Sequence, residues 1–136
     1  MKFKQIANRG DLDANYRDFE IDCPITENVM IEVLKSFNTE KSELYSATIL
    51  TKDDFGHSTQ SEYFGNDIYT AIKDKNIYPE FINAFYINKN TGHYACQVNM
   101  YLNSNKVHYI VSRKASRSFN DEKDLRDEKK EITRNQ

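Results

Sequence analysis

The segment GHYACQVNMYL (92–102) alternates between two kinds of side chain without a break, which restricts the fold more than any other feature of the chain. A two-residue period is that of a β-strand, whose successive side chains point to opposite faces of a sheet. One set predicts a buried face: Tyr94, Cys96, Val98, Met100 and Leu102. The other set predicts a face toward water, a partner or a substrate: His93, Ala95, Gln97, Asn99 and Tyr101. The chain is therefore expected to build a sheet with one core face.

Two neighbouring strands are predicted beside this segment, because FINAFYI (81–87) and KVHYIVSRK (106–114) are apolar and short turn sequences separate them. A four-residue loop over 89–92 places Gly92 in a left-handed turn, and a two-residue loop at 104–105 closes the second hairpin. The resulting register pairs apolar residues throughout: Ile87 with Tyr94, Phe85 with Cys96, Phe81 with Met100, Leu102 with Val107, Met100 with Tyr109 and Val98 with Val111. We therefore predict a three-stranded antiparallel meander over 81–114.

The rest of the chain adds helices and two more strands to this meander. RDFEIDC (17–23) alternates as a strand with an acidic outer face, and Thr26 is a suitable N-cap for an amphipathic helix over 27–37. The other predicted elements are a strand over 43–51, a polar surface loop over 52–65 and a short helix over 67–75. This order predicts an α+β fold, in which the antiparallel sheet packs on one longer and one shorter helix. We expect a single domain over 1–117, followed by a charged tail over 118–136 that is helical or disordered.

Composition predicts a soluble intracellular protein of one domain. The 136 residues have a mean hydropathy of −0.81, and no apolar run approaches the length of a membrane span or a secretory signal. Two cysteines, Cys23 and Cys96, fall on inward positions and indicate reduced thiols in the cytoplasm, although a bridge between them is open if their strands are neighbours. Asn, Lys, Ile and Tyr make up 48 residues, which is typical of an A/T-rich bacterial or phage-like genome.

Charge is distributed unevenly along the chain. Residues 81–120 contain no Asp or Glu and have a formal charge of +5, whereas residues 1–80 have a formal charge of −6. The densest basic spot is SRKASR (112–117). We therefore expect a molecule with an acidic N-terminal half and a basic meander, a layout that steers partners.

The second face of the meander is the predicted interaction surface, because it is too polar for a full core and too weakly charged for a plain solvent face. In the predicted register Tyr101 lies opposite His108 and Asn99 lies opposite Ile110. The candidate partner-binding or nucleic-acid-binding residues are Tyr86, Gln97, Asn99, Tyr101, His108, Arg113, Lys114 and Arg117. Asp18, Glu20 and Asp22 form a second, acidic candidate surface, spaced by roughly 6.6–7 Å along one strand face, which is comparable to phosphate spacing. Alternatively, this acidic row is the charged outer face of an edge strand, and the N-terminal strand or the tail partly covers the second face.

No motif indicates a catalytic site, a cofactor or a bound metal. The chain has no H-x-x-x-H, no paired C-x-x-C, no glycine-rich phosphate loop and no G-x-S-x-G. His93 and His108 are expected to lie roughly 26 Å apart at ~3.3 Å per residue. A metal-independent nuclease that uses His108, Tyr101, Arg113 and Lys114 as acid, base and phosphate ligands is the enzymatic alternative.

Three hypotheses for the function follow from these patterns. The first is a small non-enzymatic cytoplasmic protein that binds a protein partner, such as an accessory or inhibitor protein of a phage or mobile element. An antagonist of a nucleic-acid-handling defence enzyme, for example an anti-CRISPR protein, would fit this class. The second is direct binding of single-stranded nucleic acid through the basic meander, against which the pI of about 5.9 argues. The third is the metal-independent nuclease.

Overall fold

The computed structural model describes residues 1–10 and 14–112, which form seven strands and two helices. The strands are β1 (Phe3–Gly10), β2 (Ala14–Ile21), β3 (Ser42–Lys52), β4 (Ser58–Phe64), β5 (Pro79–Asn88), β6 (Tyr94–Tyr101) and β7 (Lys106–Ser112). The helices are α1 (Glu27–Ser36) and α2 (Asp67–Lys73). The predicted α+β class is confirmed, and the helices predicted over 27–37 and 67–75 end one and two residues earlier than expected.

All seven strands form one antiparallel sheet in the order β1-β2-β7-β6-β5-β3-β4. The predicted meander β5-β6-β7 occupies its centre. The N-terminal hairpin β1–β2 joins this meander by pairing β2 with β7, and the hairpin β3–β4 joins it by pairing β3 with β5. Strand β2 is therefore an interior strand, and the alternative that read its acidic face as that of an edge strand is wrong.

Both helices pack on the same face of the sheet, where the core lies. Thr26 caps α1, since its Oγ1 accepts a hydrogen bond from the backbone N–H of Val29 at 3.3 Å. The apolar side of α1 and α2 meets alternate residues of the central strands in one cluster: Met30, Val33, Leu34, Ile68, Ile72, Ala47, Ile49, Ile82, Ala84, Tyr86, Cys96, Val98, Met100 and Val107. The apolar side chains that recur every 3.6 residues on the helices and every second residue on the strands thus form one buried layer.

Two polar aromatic side chains are built into this core. The Tyr86 hydroxyl donates to the backbone carbonyl of Leu34 at 2.5 Å, and the Phe37 ring stacks on Tyr109 at 5.4 Å between centroids. Burial raises the pKa of Tyr86 and of Tyr109 above the ordinary 10.0, and burial raises the pKa of the Cys96 thiol to about 12. Cys23 and Cys96 are both free thiols. Tyr86, Tyr109 and Cys96 therefore remain neutral in the folded protein at physiological pH.

The register of β5 against β6 differs from the prediction because of a β-bulge. The Asn88–His93 turn is as expected, with Asn88 N–H donating to the His93 carbonyl at 2.7 Å, and Ile87 pairs with Tyr94. The next pair is Tyr86 with Cys96, so Ala95 is an extra residue on β6 and the register shifts by one. The inward residues of β5 are consequently Ile82, Ala84 and Tyr86, and the predicted pairs of Phe85 with Cys96 and Phe81 with Met100 are wrong.

The β6–β7 register is shifted by two residues from the prediction. Val98 pairs with Tyr109 and Met100 pairs with Val107, whereas the prediction paired Val98 with Val111 and Met100 with Tyr109. The turn is longer than two residues, since β6 ends at Tyr101 and β7 begins at Lys106, with Asn103 at a positive φ of 67°. Because a shift of two preserves which side chains share a face, the predicted core faces of β7 and of β6 from Cys96 onward are correct. The prediction is wrong at the bulge, where Ala95 packs against the core and Tyr94 pairs with Ile87 on the other side of the sheet.

The sequence patterns did not reveal the two strands at the sheet edges. The segment 52–65 was predicted to be a loop, but β3 extends to Lys52 and β4 begins at Ser58, so only a tight turn separates them. The Gly56 N–H donates to the Asp53 carbonyl at 3.1 Å in this turn, and Gly56 has a φ of 83°. Strand β1, for which no strand was predicted, lies beside β2 at the other edge and does not cover a face of the sheet.

Candidate functional site on the open face of the sheet

The sheet face opposite the helices has no described helix or strand packed on it, and we call it the open face. Its side chains follow from the strand register and form three rows across the sheet. The first row contains Lys4, Glu20, Lys106, Tyr101, Phe81, Leu50 and Gln60. The middle row contains Ala7, Asp18, His108, Asn99, Asn83, Thr48 and Glu62. The third row contains Arg9, Tyr16, Ile110, Gln97, Phe85, Ser46 and Phe64.

Five aromatic side chains stand in the two outer rows of the open face: Tyr101, Phe81, Tyr16, Phe85 and Phe64. Tyr101 is 53% exposed and its ring centroid lies 4.6 Å from that of Phe81. At the other end of the molecule the Arg9 guanidinium lies over the ring of Tyr16, 5.2 Å from its centroid. Phe85 is half-buried in the third row. Such rings offer large, rigid contact areas to a partner.

The middle row is polar, and its centre is a carboxylate–imidazole pair. Asp18 Oδ1 lies 2.8 Å from His108 Nδ1, and their side chains are 19% and 38% exposed. The contact forms because Asp18 of β2 and His108 of β7 are directly opposite each other in the register. A carboxylate at Nδ1 orients the ring and directs Nε2 away from β2, where it can donate to or accept from another group.

Two side-chain amides continue the middle row from this pair. Asn99 pairs with His108 on one side and with Asn83 on the other. The Oδ1 atom of Asn83 is buried and has no hydrogen-bond partner among the described residues. A buried acceptor without a hydrogen-bond partner destabilises the folded state, so such groups are rare. Where one occurs, it calls for an explanation other than stability.

The open face carries both signs of charge among its described residues. Glu20 lies between Lys4 of β1 and Lys106 of β7, so opposite charges alternate across the edge of the face. Asp22, the third member of the predicted acidic surface, lies beyond the end of β2 and accepts a hydrogen bond from the Lys2 backbone N–H at 3.0 Å. This hydrogen bond lowers the pKa of Asp22. Acidic β2 lies beside basic β7, so these two strands do not separate the charges as the sequence led us to expect.

The structure brings four of the predicted site residues together and removes one. Gln97, Asn99, Tyr101 and His108 share the open face. The prediction that Tyr86 belongs to this surface is wrong, because Tyr86 is 0% exposed and lies in the core under α1. Arg113, Lys114 and Arg117 lie outside the described residues, as does the predicted tail over 118–136.

The predicted opposition of Tyr101 and His108 is also wrong. Asn99 is the residue that pairs with His108, and Tyr101 pairs with Phe81. The acid–base geometry that the nuclease alternative assumed for Tyr101 and His108 is therefore absent from the described residues. The sequence reasoning missed Phe81, Asn83 and Phe85 as open-face residues because it did not anticipate the bulge at Ala95, which reverses the faces of β5.

The described residues contain no group of three His, Cys, Asp or Glu side chains that could hold a metal ion. His57 Nδ1 lies 3.2 Å from Asp53 Oδ2, but this pair stands at the exposed tip of the β3–β4 hairpin. Neither α1 nor α2 is long and apolar enough to cross a membrane.

Comparisons with known proteins found no matching family model, no matching curated protein and no matching solved structure. The residues of the open face are therefore the features of this chain that bear on its function.

Proposed function

We propose that the protein is a non-enzymatic binding protein whose open face docks on a protein partner. The observation that carries this proposal is the open face itself, a broad surface of aromatic, amide and histidine side chains on which no described element packs. Its central features are the exposed Tyr101, the Asp18–His108 pair and the unpartnered Asn83 Oδ1.

The dimensions of the open face suit a protein interface. Seven strands spaced by about 4.8 Å and about seven residues long give a face of roughly 29 by 23 Å, or about 700 Å². A standard interface buries about 800 Å² on each partner. Tyrosine and phenylalanine are enriched in the centres of such interfaces, with charged residues moved toward the rim. The charged residues at the outer strands, such as Lys4 and Glu62, follow this arrangement.

The charge of the open face favours a protein over a nucleic acid. A phosphate-binding surface needs several Lys or Arg side chains without nearby acids. Here Glu20 lies beside Lys106, and Asp18 contacts His108, so a carboxylate stands next to the described lysine of β7 and another next to its histidine. Single-stranded nucleic acid thus remains the weaker candidate, and its binding is an outcome of the test below.

The class of target comes from the sequence rather than from the fold. Small size, A/T-rich composition and the lack of a catalytic motif favour an accessory or inhibitor protein of a phage or mobile element. A nucleic-acid-handling enzyme of bacterial defence is the proposed class of target. Such an inhibitor acts by occupying a surface on its target and needs no chemistry of its own.

The test begins with capture of partners by the immobilised protein from a bacterial lysate treated with nuclease. A captured protein is then purified and titrated against the wild-type chain and against Tyr101→Ala and His108→Ala variants. We expect each substitution to weaken binding at least tenfold, because truncation of a hot-spot side chain at the centre of an interface costs about 2–4 kcal/mol. Retention of full affinity by both variants would move the interface away from the open face.

The matched control is Tyr78→Ala, because Tyr78 is 68% exposed but lies in the loop that precedes β5. This variant is expected to bind the partner as tightly as the wild type does. In parallel, fluorescence anisotropy with labelled single-stranded DNA and RNA checks the alternative. Tight binding of either at physiological salt, with a steep salt dependence, would replace the protein partner by a nucleic acid.

A further inference from the structure

The two edges of the sheet are built differently. Strand β1 contains Lys4 and Arg9, and Ile6 interrupts its register with β2 as a bulge. Charges and bulges are the features that keep an edge strand from pairing with another chain. Strand β4 contains no Lys, Arg or Pro and has one charged residue, Glu62. Its register with β3 runs without a shift from Ser58 to Phe64. Strand β4 is therefore the edge that lacks protection.

The hydrogen bonds of the β3–β4 hairpin show which backbone groups of β4 point outward. Asp53 N–H donates to the His57 carbonyl at 3.0 Å, and Gly65 N–H donates to the Tyr45 carbonyl at 2.9 Å. These two pairs fix the alternation, since hydrogen-bonded pairs recur at every second residue of an antiparallel ladder. The residues of β4 that bond to β3 are therefore Thr59, Ser61 and Tyr63. The residues whose N–H and C=O groups point away from β3 are Ser58, Gln60, Glu62 and Phe64.

These four outward residues form a self-complementary row. We propose that β4 pairs in antiparallel fashion with β4 of a second copy of this chain, around a two-fold axis at Ser61. In this register Gln60 lies opposite Glu62 of the second copy, and Ser58 lies opposite Phe64 of the second copy. The Gln60 side-chain amide then donates to the Glu62 carboxylate, and symmetry makes this contact twice.

The neighbouring registers are less favourable. An axis at Glu62 places two carboxylates directly opposite each other, which is destabilising. An axis at Gln60 places Phe64 opposite the β3–β4 turn of the second copy. The outward N–H and C=O groups of Phe64 would then have no strand residue to bond. The axis at Ser61 is the register that satisfies all four outward residues and avoids like charges. This register also places Phe64 against the second copy, which would cover part of a ring that is 50% exposed.

Pairing through β4 has a geometric consequence for the open face. A two-fold axis between antiparallel strands stands perpendicular to the sheet, so equivalent faces of both copies lie on the same side. The dimer is one continuous sheet with both open faces on one side and all helices on the other. A partner with two equivalent sites would be bound with an avidity that neither copy provides alone.

The experiment is sedimentation equilibrium over roughly 1–500 μM, a range that covers interfaces of the weak class. Three variants are compared with the wild type: Ser61→Lys, Ser61→Glu and the control Gln5→Lys. Ser61 is exposed and its backbone bonds run to β3, so its substitution leaves the outward backbone groups intact. Gln5 is an exposed residue of β1 at the opposite edge. We expect a wild-type dimer that Gln5→Lys does not change.

Each Ser61 variant is expected to raise the dimer dissociation constant at least tenfold, because like charges meet at the two-fold axis. An equimolar mixture of Ser61→Lys and Ser61→Glu is expected to form a heterodimer, because opposite charges then meet there. A further variant, Gln60→Pro, removes one outward N–H without disturbing the β3–β4 ladder and is expected to be monomeric. Circular dichroism and thermal unfolding confirm that each variant is folded.

Three results would overturn the proposal. A wild-type protein that is monomeric at the highest concentration excludes the dimer. A dimer that survives both Ser61→Lys and Gln60→Pro is formed elsewhere on the molecule. Folded Ser61 variants that stay monomeric on mixing exclude the axis at Ser61. The outcome is independent of the proposed function, because a monomeric Ser61→Lys variant retains the whole open face and its binding to a captured partner can be measured separately.

Discussion

The two faces of the sheet use similar side chains for opposite purposes. The helix face buries Tyr86 and half-buries Tyr109, and the hydroxyl of Tyr86 donates to the Leu34 carbonyl inside the core. The open face presents Tyr101 and Tyr16 around a polar row that includes an acceptor without a partner. A tyrosine is an internal structural residue on the helix face, where Tyr86 is fully buried, and an available contact on the open face, where Tyr101 is 53% exposed. The difference teaches that aromatic content alone does not distinguish a core from an interface, whereas the satisfaction of polar atoms does.

The largest expected contrast between the faces comes from placing one carboxylate on each. Val98→Asp puts an unpaired charge at a fully buried position between Ala84 and Tyr109, and we expect a loss of about 4 kcal/mol or more in unfolding free energy. Tyr101→Asp, three residues along the same strand and on the open face, is expected to cost less than about 1 kcal/mol. Urea unfolding followed by circular dichroism measures both. Similar losses for the two variants would show that the open face is covered as well as the helix face is.

Alkaline pH is expected to weaken the helix face selectively. Three groups on the helix face have raised pKa values and are neutral in the folded state: Tyr86, Tyr109 and Cys96. Their contribution to the free energy of unfolding is complete below their ordinary pKa values. It is lost as the pH rises from those ordinary values toward the raised ones. Those ordinary values are 9.0 for the thiol and 10.0 for the phenols. Stability should therefore fall from about pH 9 upward, by at most ~1.4 kcal/mol per pH unit for each group.

Thermal unfolding at pH 7, 9, 10 and 11 measures this decline. The Tyr109→Phe variant lacks one of the three ionising groups and should lose stability less steeply between pH 10 and 11. A constant unfolding free energy from pH 7 to pH 11 would contradict the burial of these hydroxyl and thiol groups in a single core.

The smallest expected contrast is the removal of one hydroxyl from each face. Tyr86→Phe leaves the buried Leu34 carbonyl without its donor, and we expect a loss of about 1–2 kcal/mol. Tyr101→Phe changes a half-exposed ring and is expected to alter unfolding free energy by less than about 0.5 kcal/mol. Chemical denaturation of both variants at pH 7 gives the comparison. An equal effect of the two substitutions would mean that the Tyr86 hydrogen bond contributes nothing beyond ring packing.

Much of the central architecture could be predicted because residue periodicity reports burial directly. The alternation identified the core face of β6 from Cys96 onward, and the spacing of Val29, Val33 and Phe37 after a Thr cap identified α1. Both segments have one apolar and one polar side, so a single pattern fits each of them. The faces of β7 were predicted correctly even though its register was wrong by two residues.

Prediction failed where a strand has two apolar sides or none. Strand β5 has Phe81, Phe85 and Ile87 on one side and Ile82, Ala84 and Tyr86 on the other, so hydrophobicity cannot choose its inward face. A bulge at Ala95 makes the choice, and its signature in the sequence is weak. Strand β4 is polar on both sides because it lies at an edge. Its signal was the turn Asp53–His57 with a left-handed Gly56, which is typical of a three-residue hairpin loop.

The pairing of β2 with β7 has a consequence for how the molecule forms. Ala14 lies opposite Ser112, so the pairing joins the second described strand of the chain to the last described one. A high contact order of this kind slows folding. The long chain between the two strands must lose conformational entropy before their stabilising contacts can form. During synthesis the N-terminal hairpin emerges first but cannot dock until the last strand of the sheet has been made. Once the two strands pair, the Asp18 carboxylate of β2 contacts His108 of β7.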